Sequence, residues 1–156
     1  MTELIPSGVV HCPVNRYSGT GLLDSYPIPV SRHPDCPFCN LSADRVLMET
    51  ATTIAFLDGY PIAEGHTLVI PRRHVASVFD LTEHDQQQLW RQVASVRQLL
   101  AQRYRLDGFN IGVNDGGAAG QTVPHAHVHV IPRRKGDVPD PRGGVRWIMP
   151  GRARYW

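Results

Sequence analysis

The chain has few cysteines, little net charge and no long apolar run. Three cysteines in 156 residues is a small and odd number, which argues against a disulfide framework and favours a reducing compartment. A net charge of +2 is too small to indicate non-specific binding to nucleic acid. No apolar stretch could span a bilayer, and the first residues lack the basic and apolar regions of a signal peptide. These absences predict a cytoplasmic globular protein with no membrane or nucleic-acid partner.

The length and the 42% hydrophobic content predict one domain with a substantial core. Glycine and proline are concentrated towards the two ends. We therefore expect an irregular N-terminal extension over residues 1–35, a central domain over residues 36–134, and a tail over residues 135–156 that packs on the domain or on a partner subunit.

Hydrophobic periodicity predicts five strands and one long helix. The strands are expected at residues 46–50, 53–58, 66–74, 109–114 and 125–132, and residues 145–150 could add a short one. The helix should follow the N-cap Thr82 and run to about Tyr104, after a short helical turn at residues 77–81. Its core-facing stripe comprises Leu89, Val93, Val96, Leu99 and Leu100.

Three histidines alternate with small or apolar residues in the last predicted strand. On a strand, His125, His127 and His129 would point to one face, about 6–7 Å apart. Chance placement on a solvated face is the simple alternative, but five of the eight histidines fall in residues 66–74 and 125–129. The central His127 should be the most enclosed. If a carbonyl holds its Nδ1–H, its Nε2 lone pair is a nucleophile able to attack phosphorus, and His129 can donate to a phosphate oxygen.

A glycine-rich loop over residues 115–121 precedes this strand, and its backbone N–H groups could cradle an anion. Cys36 and Cys39 are three positions apart and form a chelating loop typical of half a zinc site. His74 and His125, at the ends of two strands, would complete a tetrahedral set that has a structural role. A redox Cys-x-x-Cys is the alternative, and it requires a helix directly after the motif.

The motif His-Ala-His-Val-His-Val-Ile at residues 125–131 resembles that of the histidine-triad (HIT) family. Residues 56–58, 65–71 and 114–123 extend the likeness, and Cys36-x-x-Cys39 resembles the zinc-carrying bacterial branch. The resemblance implies an α+β fold in which an antiparallel sheet of about five strands packs with one long and one short helix. It also implies a homodimer with a sheet that continues across the interface.

The resemblance also implies roles for individual residues. His127 matches the nucleophile that forms a nucleotidyl-histidine. His125 matches the residue whose carbonyl orients that nucleophile, and it is a zinc ligand as well. His129 matches a phosphate contact, and His66 a histidine that backs the triad in a proton relay. The expected nucleotide contacts are Asp58 on the ribose, Ile54, Phe56 and Leu57 near the base, and Asn114, Gly120, Gln121 and Thr122 near the phosphates.

The resemblance therefore implies that the protein is a hydrolase. It would cleave the α-phosphate bond of a dinucleoside polyphosphate or a nucleoside phosphoramidate and release a purine nucleoside monophosphate of the AMP type. A triad that ends in histidine rather than glutamine favours hydrolysis within the family. The alternatives are a nucleotidyltransferase or phosphorylase with an acceptor other than water, and a nucleotide-binding module with little activity.

Overall fold

The computed structural model describes residues 31–155, so most of the predicted N-terminal extension lies outside the described residues. Five strands form one antiparallel sheet: β1 (Val46–Glu49), β2 (Thr53–Leu57), β3 (Thr67–Pro71), β4 (Gly108–Val113) and β5 (Val128–Arg133). Their spatial order is β1-β2-β3-β5-β4, which places β1 and β4 at the edges. The predicted α+β fold with a five-stranded sheet is confirmed.

One long helix, α1 (Glu83–Arg103), covers one face of the sheet. It begins at Thr82, whose hydroxyl accepts a hydrogen bond from the Asp85 N–H at 3.2 Å, as the N-cap prediction required. Most of the predicted stripe is buried against β2, β3 and β5, whereas Leu99 is only half-buried and Gln92 is buried in addition. Burial of this stripe leaves the opposite face of the sheet free to carry a site.

The opposite face holds a smaller apolar cluster of Phe56, Leu68 and Ile70. The register pairs Phe56 with Leu68, and Leu68 in turn with His129, so the three side chains form a row across β2, β3 and β5. Phe38, from the loop before β1, packs on this cluster. The histidine strand therefore lies beside an apolar patch on the face that α1 leaves uncovered.

The tail differs from the prediction. Residues 145–150 form no strand; a 3₁₀ helix (Gly144–Ile148) and a short helix α2 (Pro150–Ala153) occupy this stretch. Val145, Ile148 and Met149 are exposed, so their apolar character reflects no place in the sheet. Positive φ angles at Gly143 and Gly144 turn the chain into this helix. The 3₁₀ helix contacts β4. The domain boundaries expected at residues 35/36 and 134/135 stay predictions.

The predicted short helical turn is a 3₁₀ turn over Val78–Asp80. Among the helices of residues 31–155, none combines the length and the apolar character needed to cross a bilayer.

Candidate active site and metal centre

The histidine strand is shorter than predicted. β5 begins at Val128, so His125 and His127 precede the ladder. In this segment the Ala126 N–H donates to the carbonyl of Val75 at 2.7 Å instead of to a neighbouring strand. The three imidazoles consequently do not form one evenly spaced row. The rings of His127 and His129 lie 5.0 Å apart, whereas the ring of His125 turns towards the cysteines.

The geometry around His127 fixes which of its nitrogens carries the proton. Its Nδ1–H donates to the carbonyl of His125 at 2.7 Å. A carbonyl can only accept, so the neutral ring carries its proton on Nδ1 and a lone pair on Nε2. No hydrogen bond from residues 31–155 engages that Nε2. The ring is only 6% exposed and meets the edge of Phe38 at 5.3 Å. Its Nε2 is therefore a fixed lone pair available to a ligand.

A chain of polar contacts runs from Ile62 through His66 to His129. The Ile62 N–H donates to Nδ1 of His66 at 3.4 Å, which leaves the His66 proton on Nε2. That Nε2–H donates to Nδ1 of His129 at 3.0 Å. The remaining proton of His129 is then on its Nε2, which can donate to an anion. Oδ2 of Asp58 lies 3.3 Å from the His66 Nδ1, where it would stabilise the imidazolium once His66 is protonated.

The lowered pKa values of His66 and His129 keep both rings neutral at pH 7. Burial, with repulsion from His127 and His66, lowers the pKa of His129 to about 4. Burial also lowers the pKa of His66, and the charge of Asp58 opposes that shift. At pH 7 both rings therefore act as hydrogen-bond donors and acceptors rather than as fixed cations.

Cys36, Cys39, His74 and His125 come together as predicted, with their ligand atoms within 4.8 Å of one another. The Sγ of Cys36 lies 3.4 Å from Nδ1 of His125, and the Sγ of Cys39 lies 3.4 Å from Nδ1 of His74. A tetrahedron with Zn–S bonds of about 2.3 Å and Zn–N bonds of about 2.05 Å has S···N edges of about 3.5 Å. The spacing and the donor types thus fit a Cys₂His₂ zinc site.

The surroundings of His125 also fit a metal ligand. Its Nε2–H donates to the carbonyl of Pro71 at 2.9 Å, which leaves the Nδ1 lone pair directed at the cysteines. Burial lowers the pKa of His125 to about 4, so the ring is neutral at pH 7. The redox alternative fails on its own criterion: Cys39 is followed by a 3₁₀ turn over Ala43–Arg45, and no α-helix begins directly after the motif.

In the glycine loop, four of the backbone N–H groups are used inside the loop, and the predicted backbone cradle stays a prediction for the others. The N–H groups of Ala119, Gly120 and Gln121 donate to carbonyls inside the loop. The Gly116 N–H donates to the side-chain Oε1 of Gln121 at 2.9 Å. Because these donors are already used, they are not free for a phosphate. The Gln121 amide closes the loop and also donates to the carbonyl of Ala76 at 2.8 Å, while Asn114 is half-buried and Thr122 exposed.

The three residues predicted near the base do not share one surface. Phe56 has no exposed surface. Ile54 and Phe56 point to the same face of β2, whereas Leu57, one residue further on, points to the other. Ile54 lines a 270 Å³ cavity together with Phe38 and Cys39. Ile54 is four residues from Asp58, which corresponds to about 13 Å along an extended strand. Of the predicted nucleoside contacts, Asp58 is therefore the best placed beside the histidines.

Sequence reasoning missed two parts of the site. Phe38 lies between the cysteines and meets His127 at 5.3 Å and His125 at 6.0 Å, so it joins the metal cluster to the triad. Its position inside the Cys-x-x-Cys was the available signal. The second part is the backbone after His74. The carbonyl of Val75 accepts a hydrogen bond from the Ala126 N–H, and the carbonyl of Ala76 accepts one from the Gln121 side-chain amide. No sequence signal marks such a carbonyl.

The sequence profile of the HIT domain matches residues 41–136, which is more than half of the chain. The chain belongs to the HIT family. Among solved structures, a HIT-family member from Bacillus subtilis is 34% identical with a TM-score of 0.61, over 66% of this chain and 77% of that one. This HIT protein thus shares both the sequence motifs and the fold of the family.

Curated relatives include enzymes of eukaryotes. The HIT protein is 44% identical over 93 residues to a bis(5'-nucleosyl)-tetraphosphatase (asymmetrical) of Schizosaccharomyces pombe, across 60% of this chain and 51% of that protein. It is 36% identical over 93 residues to a bis(5'-adenosyl)-triphosphatase of Dictyostelium discoideum, across 60% of this chain and 62% of that protein. The chain thus spans about half to three-fifths of the length of these two relatives.

Proposed function

We propose that this HIT protein is a hydrolase that cleaves the α-phosphate bond of a nucleotide conjugate through a covalent nucleotidyl-His127. The observation that carries the proposal is the His127 Nδ1–H bond to the carbonyl of His125 at 2.7 Å, which leaves Nε2 unpaired. The names of the two curated relatives favour a dinucleoside polyphosphate as the substrate, and a nucleoside phosphoramidate is the second choice.

The reaction then has two displacements at phosphorus. In the first, the His127 Nε2 lone pair forms a P–N bond, and the bond from the α-phosphorus to the leaving oxygen or nitrogen breaks. A polyphosphate leaves as an anion and needs no proton, whereas the amine of a phosphoramidate leaves with a proton taken from solvent or from a neighbouring donor. In the second, water forms a P–O bond, the P–N bond breaks, and the water proton passes to solvent or to a neighbouring base. Nδ1 keeps its proton throughout, so the His125 carbonyl stabilises the cationic ring of the intermediate.

Two neighbours support this chemistry. The Nε2–H of His129, fixed by the contact with His66 at 3.0 Å, would donate to a phosphate oxygen as charge builds up. Asp58 would accept the ribose hydroxyls. Its Oδ1 is held by the Tyr60 N–H at 2.9 Å, and its side chain is 15% exposed, so the carboxylate is oriented and still accessible.

The test replaces His127 by asparagine and measures both turnover and binding. We expect the variant to bind AMP with affinity close to that of wild type and to lose turnover of a dinucleoside triphosphate by three or more orders of magnitude. Acid-free mass spectrometry of the wild type should show a nucleotidyl adduct on His127. Unchanged turnover in a folded variant would refute the role of His127.

Product analysis separates hydrolysis from transfer. In H₂¹⁸O the released AMP should carry one ¹⁸O atom, and added inorganic phosphate should not divert it into ADP. Hydrolysis of a dinucleoside triphosphate itself releases one AMP and one ADP, so a phosphate-dependent loss of AMP with formation of a second ADP would favour the phosphorylase alternative. AMP binding without turnover of any tested substrate would favour a binding module.

We also propose that Cys36, Cys39, His74 and His125 hold a structural zinc ion, since four protein ligands leave no open position. Metal analysis should find about one zinc per chain. Cys36→Ser should lose the metal, whereas Cys12→Ser, outside the Cys-x-x-Cys motif, should keep it. Zinc retained at full occupancy by Cys36→Ser would refute the assignment. Thiolates bind zinc only while they are reduced, which agrees with a cytoplasmic setting.

A homodimer through β4 is the assembly we propose. This strand is at the edge of the described sheet, and Ile111 on it is 36% exposed. An apolar edge strand of this kind is a template for a second copy. Light scattering coupled to gel filtration should give twice the chain mass. A value of one chain mass at micromolar concentration would contradict the proposal.

A further inference from the structure

Arg45 covers the buried aromatic ring beside Asp58. We propose that the Arg45 guanidinium, rather than Phe56, contacts the nucleobase and sets the affinity for it. This inference rests on the proposed function, because it presumes that a nucleoside binds with its ribose at Asp58.

Phe56 cannot itself present a surface to a base. Its side chain has no exposed area. The edge of Phe38 packs against its ring at 5.3 Å, and the Arg45 guanidinium carbon lies 5.4 Å from its centroid. A ligand that approaches Phe56 from the side of Arg45 therefore meets the guanidinium first, and Arg45 is half-buried and still accessible.

The Arg45 guanidinium lies close to both backbone neighbours of Asp58, Leu57 and Gly59. An Nη2–H of Arg45 donates to the carbonyl of Leu57 at 3.0 Å. A Cβ built on Gly59 would lie 3.2 Å from the same Nη2, so the guanidinium also lies close to the residue after Asp58. A base is joined to the ribose next to its 2'-hydroxyl, so ribose at Asp58 brings the base into this neighbourhood. The cavity at Ile54, about 13 Å along the strand, is too far for the same nucleoside.

The chemistry of Arg45 suits a purine. No carboxylate of residues 31–155 forms an ion pair with it, and one of its five N–H groups is used by Leu57. A planar guanidinium stacks on aromatic rings and donates to ring-nitrogen acceptors. A purine offers both features, whereas a bare ribose phosphate offers neither.

The experiment measures product binding, which needs no turnover. Arg45→Met keeps a long apolar side chain and removes the positive charge and the planar guanidinium group. By calorimetry or NMR titration we expect AMP and adenosine each to bind Arg45→Met about five- to tenfold more weakly than wild type, in line with the range of cation–π contacts. Ribose 5-phosphate, which lacks a base, should bind both proteins within twofold. Arg45→Lys should recover part of the loss.

The chain offers a matched control. Arg97 on α1 lies over the ring of Phe109 at 5.3 Å, a similar contact on the helix side of the sheet. Arg97→Met should leave all three affinities unchanged. A loss of AMP affinity below twofold in Arg45→Met, or an equal loss for ribose 5-phosphate or in Arg97→Met, would overturn the inference. Absence of AMP binding to the wild type would instead refute the proposed function.

Discussion

Acidification should destabilise the fold through His129. Its pKa is about 4 in the folded protein, against an ordinary value of 6.5. Between these values the unfolded chain binds more protons than the folded one, so stability falls as the pH drops. The contribution is complete above pH 6.5 and is lost progressively towards pH 4.

The magnitude follows from the two pKa values. The linkage relation gives a loss of about 2 kcal/mol between pH 7 and pH 5. Since the His129 side chain is only half-buried, solvent screening reduces this figure to about 1 kcal/mol. Burial is the largest cause of the lowered pKa; His127 and His66 add to it because they repel the added charge, and Asp58 opposes it because it attracts that charge.

The assay is urea unfolding of the wild type and of His129→Asn at pH 7 and pH 5. Asparagine can place an amide oxygen near the position of the His129 Nδ1 and accept from His66. We expect the variant to lose about 1 kcal/mol less than the wild type over this interval. Proton effects on the Cys/His cluster are common to both proteins and cancel in the difference. His84→Asn, at an exposed position in α1, is the control and should behave as wild type. Equal losses in wild type and His129→Asn would refute the reasoning.

Three further predictions concern the scaffold and the loop. Gly65→Ala should cost about 1–3 kcal/mol in urea unfolding, because φ is +80° and the new Cβ would lie 3.0 Å from Tyr104; a neutral effect would contradict this strain. Thr82→Ala should lower the free energy of unfolding by about 1 kcal/mol, because the N-cap hydrogen bond is lost. Urea unfolding checks this value, with Thr82→Ser, which keeps a capping hydroxyl, as the comparison. Gln121→Ala should lower kcat of dinucleoside triphosphate turnover by about tenfold or more, because its amide braces the loop against Ala76. Wild-type kinetics in that variant would show that the brace is dispensable.

The regular elements were predictable because local patterns specify them. The 3.6-residue period from Leu89 to Leu100 and the Thr82 cap define α1, and both features act within a few residues. In the tail, the predicted strand was wrong, because the apolar residues Val145 and Ile148 are exposed and follow a glycine turn. An apolar run predicts a strand only where the sheet has a place for it.

The Cys/His cluster was predictable for a similar reason. Two cysteines three positions apart chelate within one loop, and His74 and His125 lie just outside the ends of β3 and β5. The glycine loop was not predictable in detail, because four of its N–H groups are used by its own carbonyls and by Gln121. Which donors a loop leaves free depends on its closed conformation.

The family, the five-stranded sheet, the Cys/His cluster and the three histidines of the triad could all be predicted from the sequence, because spacing and residue chemistry carry this information. The contacts that distinguish these three histidines from one another depend on the tertiary structure. The carbonyl of His125 sets the tautomer of His127, His66 sets that of His129, and the ring of His125 turns to the cysteines. The tertiary structure also places Arg45 over Phe56. Tautomers and coverage depend on atoms from distant segments meeting within about 3–5 Å, and spacing along the chain does not record such contacts.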